Sequence, residues 1–360
     1  MNRTLVVGLG AVVVMGVALQ TFALPPGYTI TDLGTLDGSS RAYAINNAGD
    51  IVGFCEVGGL ARATLWSGGG IIDLGRLGGG ESVAYAINEH RQIVGKSSIG
   101  SGGGGHAFLW ESGVMNDIDT LGSSWSVGHA IANDGTVVGS YTYLPRAFCY
   151  SSGAMVEIQA TAGSEAVAWG INEHGEIVGD VGDKACLWHD DVVELLGTPP
   201  GYAWSATRDI NNQGHVAGSA GFGLSGEQAF LYKDGGTISL GTLGGSRSEA
   251  EAINNLEQIV GNSEKLGSAH RHAFIWEDGT MYDLNDLLPP DAEWTLWQAN
   301  DINDAGEIVG TGINPQGQWR AYLMTPIPEP ATLGLLAMGL GAVWMGKRQG
   351  TKGLRDKGTK

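Results

Sequence analysis

A segment that recurs seven times constrains the fold of this 360-residue chain more than any other feature. Each copy has an Ile, usually followed by Asn, then a short turn and an apolar run that ends in Gly. The Ile residues lie 39 to 49 residues apart, at Ile45, Ile87, Ile131, Ile171, Ile210, Ile253 and Ile302. A second segment centred on Ala follows each copy, at Ala63, Ala107, Ala147, Ala185, Ala229, Ala273 and Ala321. Internal periods of this length indicate a propeller or a solenoid.

Each repeat divides into four short strands. The first hairpin turns at sequences such as Asn-Asn-Ala-Gly at 46–49, where Asn first and Gly fourth suit a type I turn followed by a left-handed residue. Arg91 and Glu257 occupy the Gly position in the second and sixth repeats, so those turns are predicted to be strained or different. The third strand, such as 106–110, is largely apolar on both faces, which suits a sheet between neighbouring sheets.

The two ends of the repeat region complement each other. The region opens with 28–36, which matches a fourth strand, and closes with 320–324, a third strand without a fourth. Pairing them would close a ring of four-stranded blades and leave no unpaired edge. The sequence therefore predicts an all-β fold over 24–326, a seven-bladed β-propeller closed by its N- and C-terminal strands. A different blade count or an open array is the alternative.

The first 23 residues have the layout of a secretory signal peptide. Arg3 precedes the uncharged run 5–19, and the small residues Thr21 and Ala23 occupy the positions that signal peptidase reads. Cleavage by signal peptidase is expected after Ala23, and an uncleaved N-terminal anchor is the alternative.

The last part of the chain, 327–360, has three parts in order. Pro328, Glu329 and Pro330 come first, the uncharged run 331–346 follows, and two basic residues end it. A helix over 331–346 would span roughly 24 Å, less than the ~30 Å hydrocarbon core, so it is expected to anchor the chain in the inner membrane only transiently.

This order resembles the PEP-CTERM sorting signal of Gram-negative bacteria. The resemblance implies recognition by an exosortase-type peptidase, cleavage near 328–330 and a link to exopolysaccharide export. The residues at 349–360 depart from the family pattern, which usually ends soon after its basic cluster.

The repeats also resemble those of the HAF-repeat extracellular proteins. The resemblance rests on the His-Ala-Phe cores at 106–108 and 272–274 together with the Ile-Asn segments, and it covers 28–324. It implies an extracellular location and β-structure, and it implies no established activity.

Composition and motifs restrict the function. The 38 acidic against 20 basic residues give a net charge of −18, and without a basic patch no nucleic-acid partner is expected. Cys55, Cys149 and Cys186 are expected to be free and to pack as small apolar residues. The sequence contains no P-loop or dinucleotide fingerprint, and no cofactor, metal ligand or catalytic residue is predicted. We expect a non-catalytic binding or adhesion protein, at the cell surface or secreted, with an exopolysaccharide or an envelope protein as partner. A polysaccharide-active hydrolase or lyase is the alternative.

The candidate ligand-binding residues stand two positions before each repeat Ile. They are Tyr43, Tyr85, His129, Trp169, Arg208, Glu251 and Asn300. Their neighbours are mostly Ala or Gly, with Thr207, Asp209 and Asp301 as exceptions. This small–large–small pattern suits innermost strands, and the diversity of the large residue favours a recognition surface at the mouth of the propeller. The alternative is that the position simply tolerates variety.

The predicted mouth lies on the face that carries the loops of variable length. Those loops are rich in aromatic residues, which suit the binding of saccharide rings or proteins. The aromatic residues are Trp125, Tyr141, Tyr143, Tyr202, Trp204, Trp294, Trp297 and Trp319. The alternative is that these rings fold down over the blades as local core.

Overall fold

A computed structural model describes residues 27–100, 104–160, 164–189, 192–222 and 225–328. In these ranges the chain forms 28 β-strands and one short 3-10 helix, Leu284–Leu287. In chain order the strands are β1 Tyr28–Asp32, β2 Ser40–Ile45, β3 Ile51–Val57, β4 Leu60–Ser67, β5 Gly70–Asp73, β6 Ser82–Ile87, β7 Ile93–Ser98, β8 Gly105–Glu111, β9 Val114–Asp117, β10 Ser126–Ile131, β11 Val137–Tyr141, β12 Arg146–Ser151, β13 Ala154–Glu157, β14 Ala166–Ile171, β15 Ile177–Val181, β16 Lys184–His189, β17 Val192–Leu195, β18 Trp204–Ile210, β19 Val216–Phe222, β20 Ser225–Lys233, β21 Gly236–Gly241, β22 Gly244–Ile253, β23 Ile259–Lys265, β24 Arg271–Glu277, β25 Thr280–Asp283, β26 Thr295–Ile302, β27 Ile308–Ile313 and β28 Trp319–Pro326.

These strands form seven four-stranded antiparallel sheets, the blades of a β-propeller. Blade 1 is β2 to β5, and blades 2 to 6 repeat the same order through β25. Blade 7 contains β26, β27 and β28, and β1 completes it as the outermost strand. The prediction of an all-β, seven-bladed propeller is confirmed.

Closure joins the two ends of the repeat region. β1 runs antiparallel to β28, with Tyr28 opposite Pro326 and Asp32 opposite Tyr322. Tyr28 is buried although it lies in an outer strand, because it packs into the apolar cluster that blades 6 and 7 share. The predicted pairing of the terminal strands is therefore confirmed.

The predicted signal peptide and the apolar run 331–346 lie outside the described residues, as do Ala23, Glu329 and Pro330. The described part of the chain contains no helix with the length and hydrophobicity needed to span a bilayer.

The hydrophobic core is divided among the interfaces between successive blades. Between blades 1 and 2, for example, Val52 and Leu65 pack against Ile93 and Phe108. The interface between blades 7 and 1 is built in the same way, and Cys55 contributes to it. All three cysteines are free, and Cys55 and Cys186 are buried, as the sequence predicted.

The repeated Ala of the third strand is fully buried in every blade, and its backbone N–H helps to join the blades. In five blades this N–H donates to a Ser hydroxyl at the start of the next inner strand, as between Ala107 and Ser126 at 2.9 Å. Ala321 donates to Ser40 at 3.0 Å in the same way, so the contact also spans the closure between blades 7 and 1.

A ring of Asn side chains explains the repeated Ile-Asn motif. Each Asn side chain donates a hydrogen bond of 3.0 to 3.2 Å to the backbone carbonyl of the equivalent residue in the next blade. The six members of this Asn ring are Asn46, Asn88, Asn172, Asn211, Asn254 and Asn303. Ala132 replaces the Asn in blade 3 and leaves a gap. The Asn ring includes the bond from Asn303 to Asn46, so it ties blade 7 to blade 1.

The residues that follow the Asn positions form a second ring without a gap. The backbone N–H of each one donates to a side-chain oxygen of the equivalent residue in the next blade. The members are Asn47, Glu89, Asn133, Glu173, Asn212, Asn255 and Asp304. We call the face that carries both rings the uniform-turn face and the opposite face the variable-loop face.

The two turns without Gly adopt the left-handed conformation and carry added ion pairs. Arg91 and Glu257 have φ angles of 59° and 60°, which non-Gly residues rarely adopt, so the predicted strain is confirmed. The Arg91 guanidinium reaches the previous blade, where it lies 2.6 Å from the buried Asp50 carboxylate. Glu257 likewise pairs with Lys233 of the previous blade at 2.8 Å. Each of these contacts joins the strained turn to the previous blade.

Candidate functional site

A β-bulge in each inner strand positions the predicted binding residues. In blade 1, Ala42 pairs with Gly53 and Ala44 with Val52, so Tyr43 has no partner in the ladder. The same irregularity falls at the equivalent residue in the other six blades. A bulge leaves the extra residue unpaired and re-aims its side chain. The small–large–small sequence pattern is therefore the signature of a bulge.

The Gly that ends each apolar run makes room for the bulge. A Cβ atom built on Gly95 or Gly139 would lie well under 3.0 Å from the carbonyl oxygen of Val83 or Val127. The same close approach occurs at the equivalent Gly of every blade. Only Gly allows the two backbones to come this close.

The seven bulge residues meet around the propeller axis, and we call them the channel ring. On one side, the ring centroids of Tyr43 and Tyr85 are 5.4 Å apart, those of Tyr85 and His129 are 6.3 Å apart, and those of His129 and Trp169 are 4.4 Å apart. Tyr43 also contacts Phe54. Phe54 pairs with Arg41, which lies nearer to the variable-loop face than Tyr43 does. This half of the channel ring is aromatic, and Tyr43 in it points toward that face.

The other half of the channel ring is polar. The guanidinium of Arg208 lies 4.9 Å from the centroid of Trp169, and its Nε is 3.9 Å from Glu251 Oε2. Glu251 accepts a hydrogen bond of 3.0 Å from Gln298, and Asn300 donates one of 2.6 Å to the carbonyl of Ala42. The structure thus brings all seven predicted residues together.

Burial and charge set the protonation of the groups around the channel ring. Burial, reinforced by the positive charge of Arg208, lowers the pKa of His129 to about 3, so its imidazole is neutral. Burial raises the pKa of Asp180, which accepts hydrogen bonds from Trp169 Nε1 at 2.7 Å and from the backbone of Thr207 at 2.9 Å. The Arg208 side chain remains 41% exposed. The guanidinium is therefore open to a ligand in the channel.

Asp209 and Asp301, which follow channel-ring residues where most blades have Ala or Gly, have a structural role. Asp209 accepts from the backbone N–H of Ile253 in the next blade at 2.9 Å, and Asp301 accepts from that of Ile45 at 2.8 Å. Burial raises the pKa of Asp209 to about 6, and burial together with the charge of Asp209 raises the pKa of Asp301 to about 7.

A cavity of about 270 Å³ adjoins the polar half of the channel ring, between blades 6, 7 and 1. We call it the mouth cavity, and its lining residues are Arg41, Glu249, Asn262, Arg271, Trp297, Gln298, Thr311 and Trp319. Trp319 pairs with Ile313 beside the loop 314–318, which places the cavity on the variable-loop face. Gln298 connects the cavity to the channel ring through its bond to Glu251.

Two carboxyl groups meet at the edge of the mouth cavity. Glu249 lies 2.6 Å from Arg271, and its carboxyl contacts that of Glu227 through a hydrogen bond. Burial and the neighbouring Glu249 raise the pKa of Glu227. Burial alone would raise the pKa of Glu249, but the hydrogen bond from Arg271 lowers it. One carboxyl of the pair thus holds a proton more tightly than the other.

Several residues of the mouth cavity are absent from the sequence prediction. Arg41 and Glu249 stand four positions before a repeat Ile, a position that holds Val or Ala in four other blades. A charged residue where other blades have Val or Ala is the sequence signal that would have identified Arg41 and Glu249 as site residues. Trp297 and Trp319 belong to the predicted set of loop aromatics, whereas Tyr202 of the same set stacks on Phe222 as local packing, with centroids 5.2 Å apart.

The repeated histidines have a structural role. His106 and His272 each lie 2.7 Å from an Asp of the fourth strand, Asp117 and Asp283 respectively. Among the described residues, no group of three His, Cys, Asp or Glu side chains is placed to hold a metal ion.

Two parts of the chain match protein families. Residues 189–320 match a family described as a protein of unknown function (DUF3466), and residues 326–349 match the PEP-CTERM protein-sorting motif. The second match confirms the resemblance at the C-terminus, and such signals are processed by exosortase during export. No sequence relative is found among curated proteins.

Solved structures with a similar fold include three bacterial proteins. A catalytically inactive virginiamycin B lyase from Staphylococcus aureus, solved with quinupristin, is 10% identical with a TM-score of 0.53, and the match covers 83% of this chain and 100% of the lyase. A puromycin-hydrolyzing peptidase from Mycobacterium tuberculosis is 11% identical with a TM-score of 0.51, covering 83% of this chain and 56% of the peptidase. TolB from Acinetobacter baumannii is 14% identical with a TM-score of 0.41, covering 61% of this chain and 60% of TolB.

The chain thus spans less than two thirds of TolB and of the peptidase. At these identities the similarity establishes the fold alone. The sorting motif and the described blades together identify an exported protein with a propeller fold.

Proposed function

We propose that this chain is a non-catalytic binding protein of the cell envelope or the exopolysaccharide matrix, and that the channel ring binds its ligand. The observation that carries the proposal is that one bulge, repeated seven times, presents side chains of different chemistry to a shared channel. A position used only for packing would favour one apolar solution in all blades.

A saccharide chain is the ligand that suits this ring best. Tyr85 and Trp169 offer aromatic faces, and Arg208 and Glu251 offer hydrogen-bonding groups beside them. Binding sites commonly combine apolar walls with a few polar groups that fix orientation. An exopolysaccharide is therefore the first candidate partner, and an envelope protein is the second.

The route to the cell surface belongs to the same proposal. The repeats are assigned to the HAF type, signal peptidase removes 1–23, and the inner membrane holds 331–346 until an exosortase-type peptidase cleaves near Pro328. The PEP-CTERM match at 326–349 supports this order of events.

The test is glycan-array binding by the mature exported protein and by a variant that combines Trp169→Ala with Arg208→Ala. We expect the variant to lose binding while its melting temperature stays close to that of the native protein, because Asp180 loses the bond from Trp169 but keeps the one from the backbone of Thr207. Tyr143→Ala is the matched control, since Tyr143 is 79% exposed on the same face and lies outside the channel ring. Unchanged binding, or unfolding of the double variant, would contradict the proposal.

The contact between Glu227 and Glu249 favours one second candidate, a polysaccharide-active hydrolase or lyase. Two carboxyls of unequal pKa can act as acid and base at neutral pH. They rank second because carboxyls that share a hydrogen bond are closer than the ~5 Å of glycosidase pairs. Turnover of a polysaccharide that Glu227→Gln abolishes would establish this candidate, and absence of turnover by the native protein would eliminate it.

A further inference from the structure

The mouth cavity has the size of a small subsite and contains polar groups without partners. Its volume of about 270 Å³ lies just below the range of ordinary ligand pockets, which begins at about 300 Å³. Thr311 is 4% exposed, and its hydroxyl has no hydrogen-bond partner. The indole N–H of Trp297 is also buried without a partner. Unsatisfied buried polar groups are costly, and both of these belong to residues that line the cavity, so part of its wall is polar.

The cavity also contains a cation without a close ion pair. Arg271 is neutralised by Glu249 at 2.6 Å. Arg41 lies beside the hydroxyl of Tyr43 and its charge helps to lower the pKa of Glu56, but no carboxylate of the described residues is within the 4.0 Å of an ion pair. Arg41 is exposed, so its guanidinium is open to an anion. A guanidinium of this kind recognises a carboxylate through two parallel hydrogen bonds.

Aromatic rings form another part of the cavity wall. The Trp297 and Trp319 rings meet edge to face with centroids 5.0 Å apart, and His270 covers Trp297 at 4.4 Å. Trp319 remains 39% exposed, so part of its ring is free to stack. An exposed Trp ring beside polar groups suits the apolar face of a sugar.

We infer that the mouth cavity is a subsite for an acidic sugar, a hexuronate unit whose carboxylate binds Arg41 and whose ring stacks on Trp319. This inference rests on the proposed binding function and names the class of polysaccharide that the propeller selects. Neutral polysaccharides would leave Arg41 unpaired, and a larger anion such as a nucleic acid would meet repulsion from the acidic surface.

Calorimetric titration of the mature protein tests the inference. The probes are short oligomers of galacturonate, glucuronate and mannuronate, each compared with the same oligomer after reduction of its carboxylates to hydroxymethyl groups. We expect at least one uronate to bind at least about tenfold more tightly than its reduced counterpart, and to bind more weakly as NaCl is raised. Arg41→Ala should remove this preference, and Trp319→Ala should weaken both members of the pair.

Arg76→Ala is the matched control, because Arg76 is exposed on the same face and contacts only the nearby carbonyl of Gly80 at 3.4 Å. If oligosaccharides bind but no uronate is preferred, or if Arg41→Ala leaves the preference intact, the acidic subsite is refuted while the proposed binding function stands. If none of the oligosaccharides binds, with or without carboxylates, both this subsite and the saccharide form of the proposed function are refuted.

Discussion

Replacing one residue of the Asn ring tests how the blades are held together. Asn211 is 4% exposed, and its Nδ2 donates to the carbonyl of Asn254 in blade 6 at 3.1 Å. Its Oδ1 accepts from the backbone N–H groups of Gln213 at 3.1 Å and His215 at 3.0 Å. Asn211→Ala therefore removes three hydrogen bonds from one buried site.

The expected loss follows from those three bonds. At a net ~0.5–1.5 kcal/mol for each intramolecular hydrogen bond, Asn211→Ala should lower the free energy of unfolding by about 2–4 kcal/mol. At about 2 °C per kcal/mol for a domain of this size, the melting temperature should fall by roughly 4–8 °C. Urea unfolding and thermal melting of the purified mature protein measure both quantities.

The chain itself supplies the matched control at Ala132. There the backbone closes the turn as in the other blades, but Thr136 N–H donates to the side chain of Asp134 at 2.8 Å instead of to an Asn side chain. Ala132→Asn should add the missing donor toward the carbonyl of Asn172 and raise stability by about 1 kcal/mol. A loss below about 0.5 kcal/mol for Asn211→Ala would refute the reasoning, because it would show that the apolar interfaces alone hold the blades together.

Three other outcomes are expected. Tyr28→Ala should lower the free energy of unfolding by about 3 kcal/mol or more, because Tyr28 is 1% exposed in the strand that closes the ring. Urea unfolding measures this loss, and a loss no larger than that of a surface substitution would contradict closure as a source of stability. Asp209 and Asp301 have folded-state pKa values of about 6 and about 7, above the ~3.9 of the unfolded chain, so the folded state binds protons that the unfolded state releases. These two groups should therefore add stability as pH falls from about 8 to about 5, whereas the neutral His129 acts in the opposite direction. Melting curves of a variant with Asn at both positions should show a smaller gain or a larger loss over this range than those of the native protein, and equal changes in the two proteins would contradict the reasoning. Intact-mass analysis of the exported protein should show Leu24 at the N-terminus and no residues beyond 328–330, and a mature species that keeps the basic tail in an exosortase-competent host would exclude the processing.

The sequence predicts the blades because each repeat specifies its own strands and turns locally. The Asn-to-Gly turn at 46–49, the apolar third strand and the complementary ends are all legible within one repeat or by comparing two. What the sequence cannot reveal is the partner of each polar group across a blade interface. Asn303 and Asn46 are 257 positions apart, and their contact exists only once the ring is closed. The mouth cavity is of the same kind, because Arg41 meets Trp319 and Arg271 only across blades 1, 7 and 6.

The bulge is the feature that lets stability and recognition use the same inner strand. The Gly that faces the bulge is the same in every blade, because a Cβ atom there would clash with a carbonyl oxygen of the inner strand. The bulge residue stands outside the ladder, so Tyr43 and Arg208 can occupy equivalent positions without any change in the pairing around them. The Asn ring and the apolar interfaces hold the blades together, so a substitution at an exposed channel-ring residue such as Arg208 changes the chemistry of the channel at little cost to the fold. This separation is the physical reason to look for the ligand in the channel and to expect variants of Arg208 to fold.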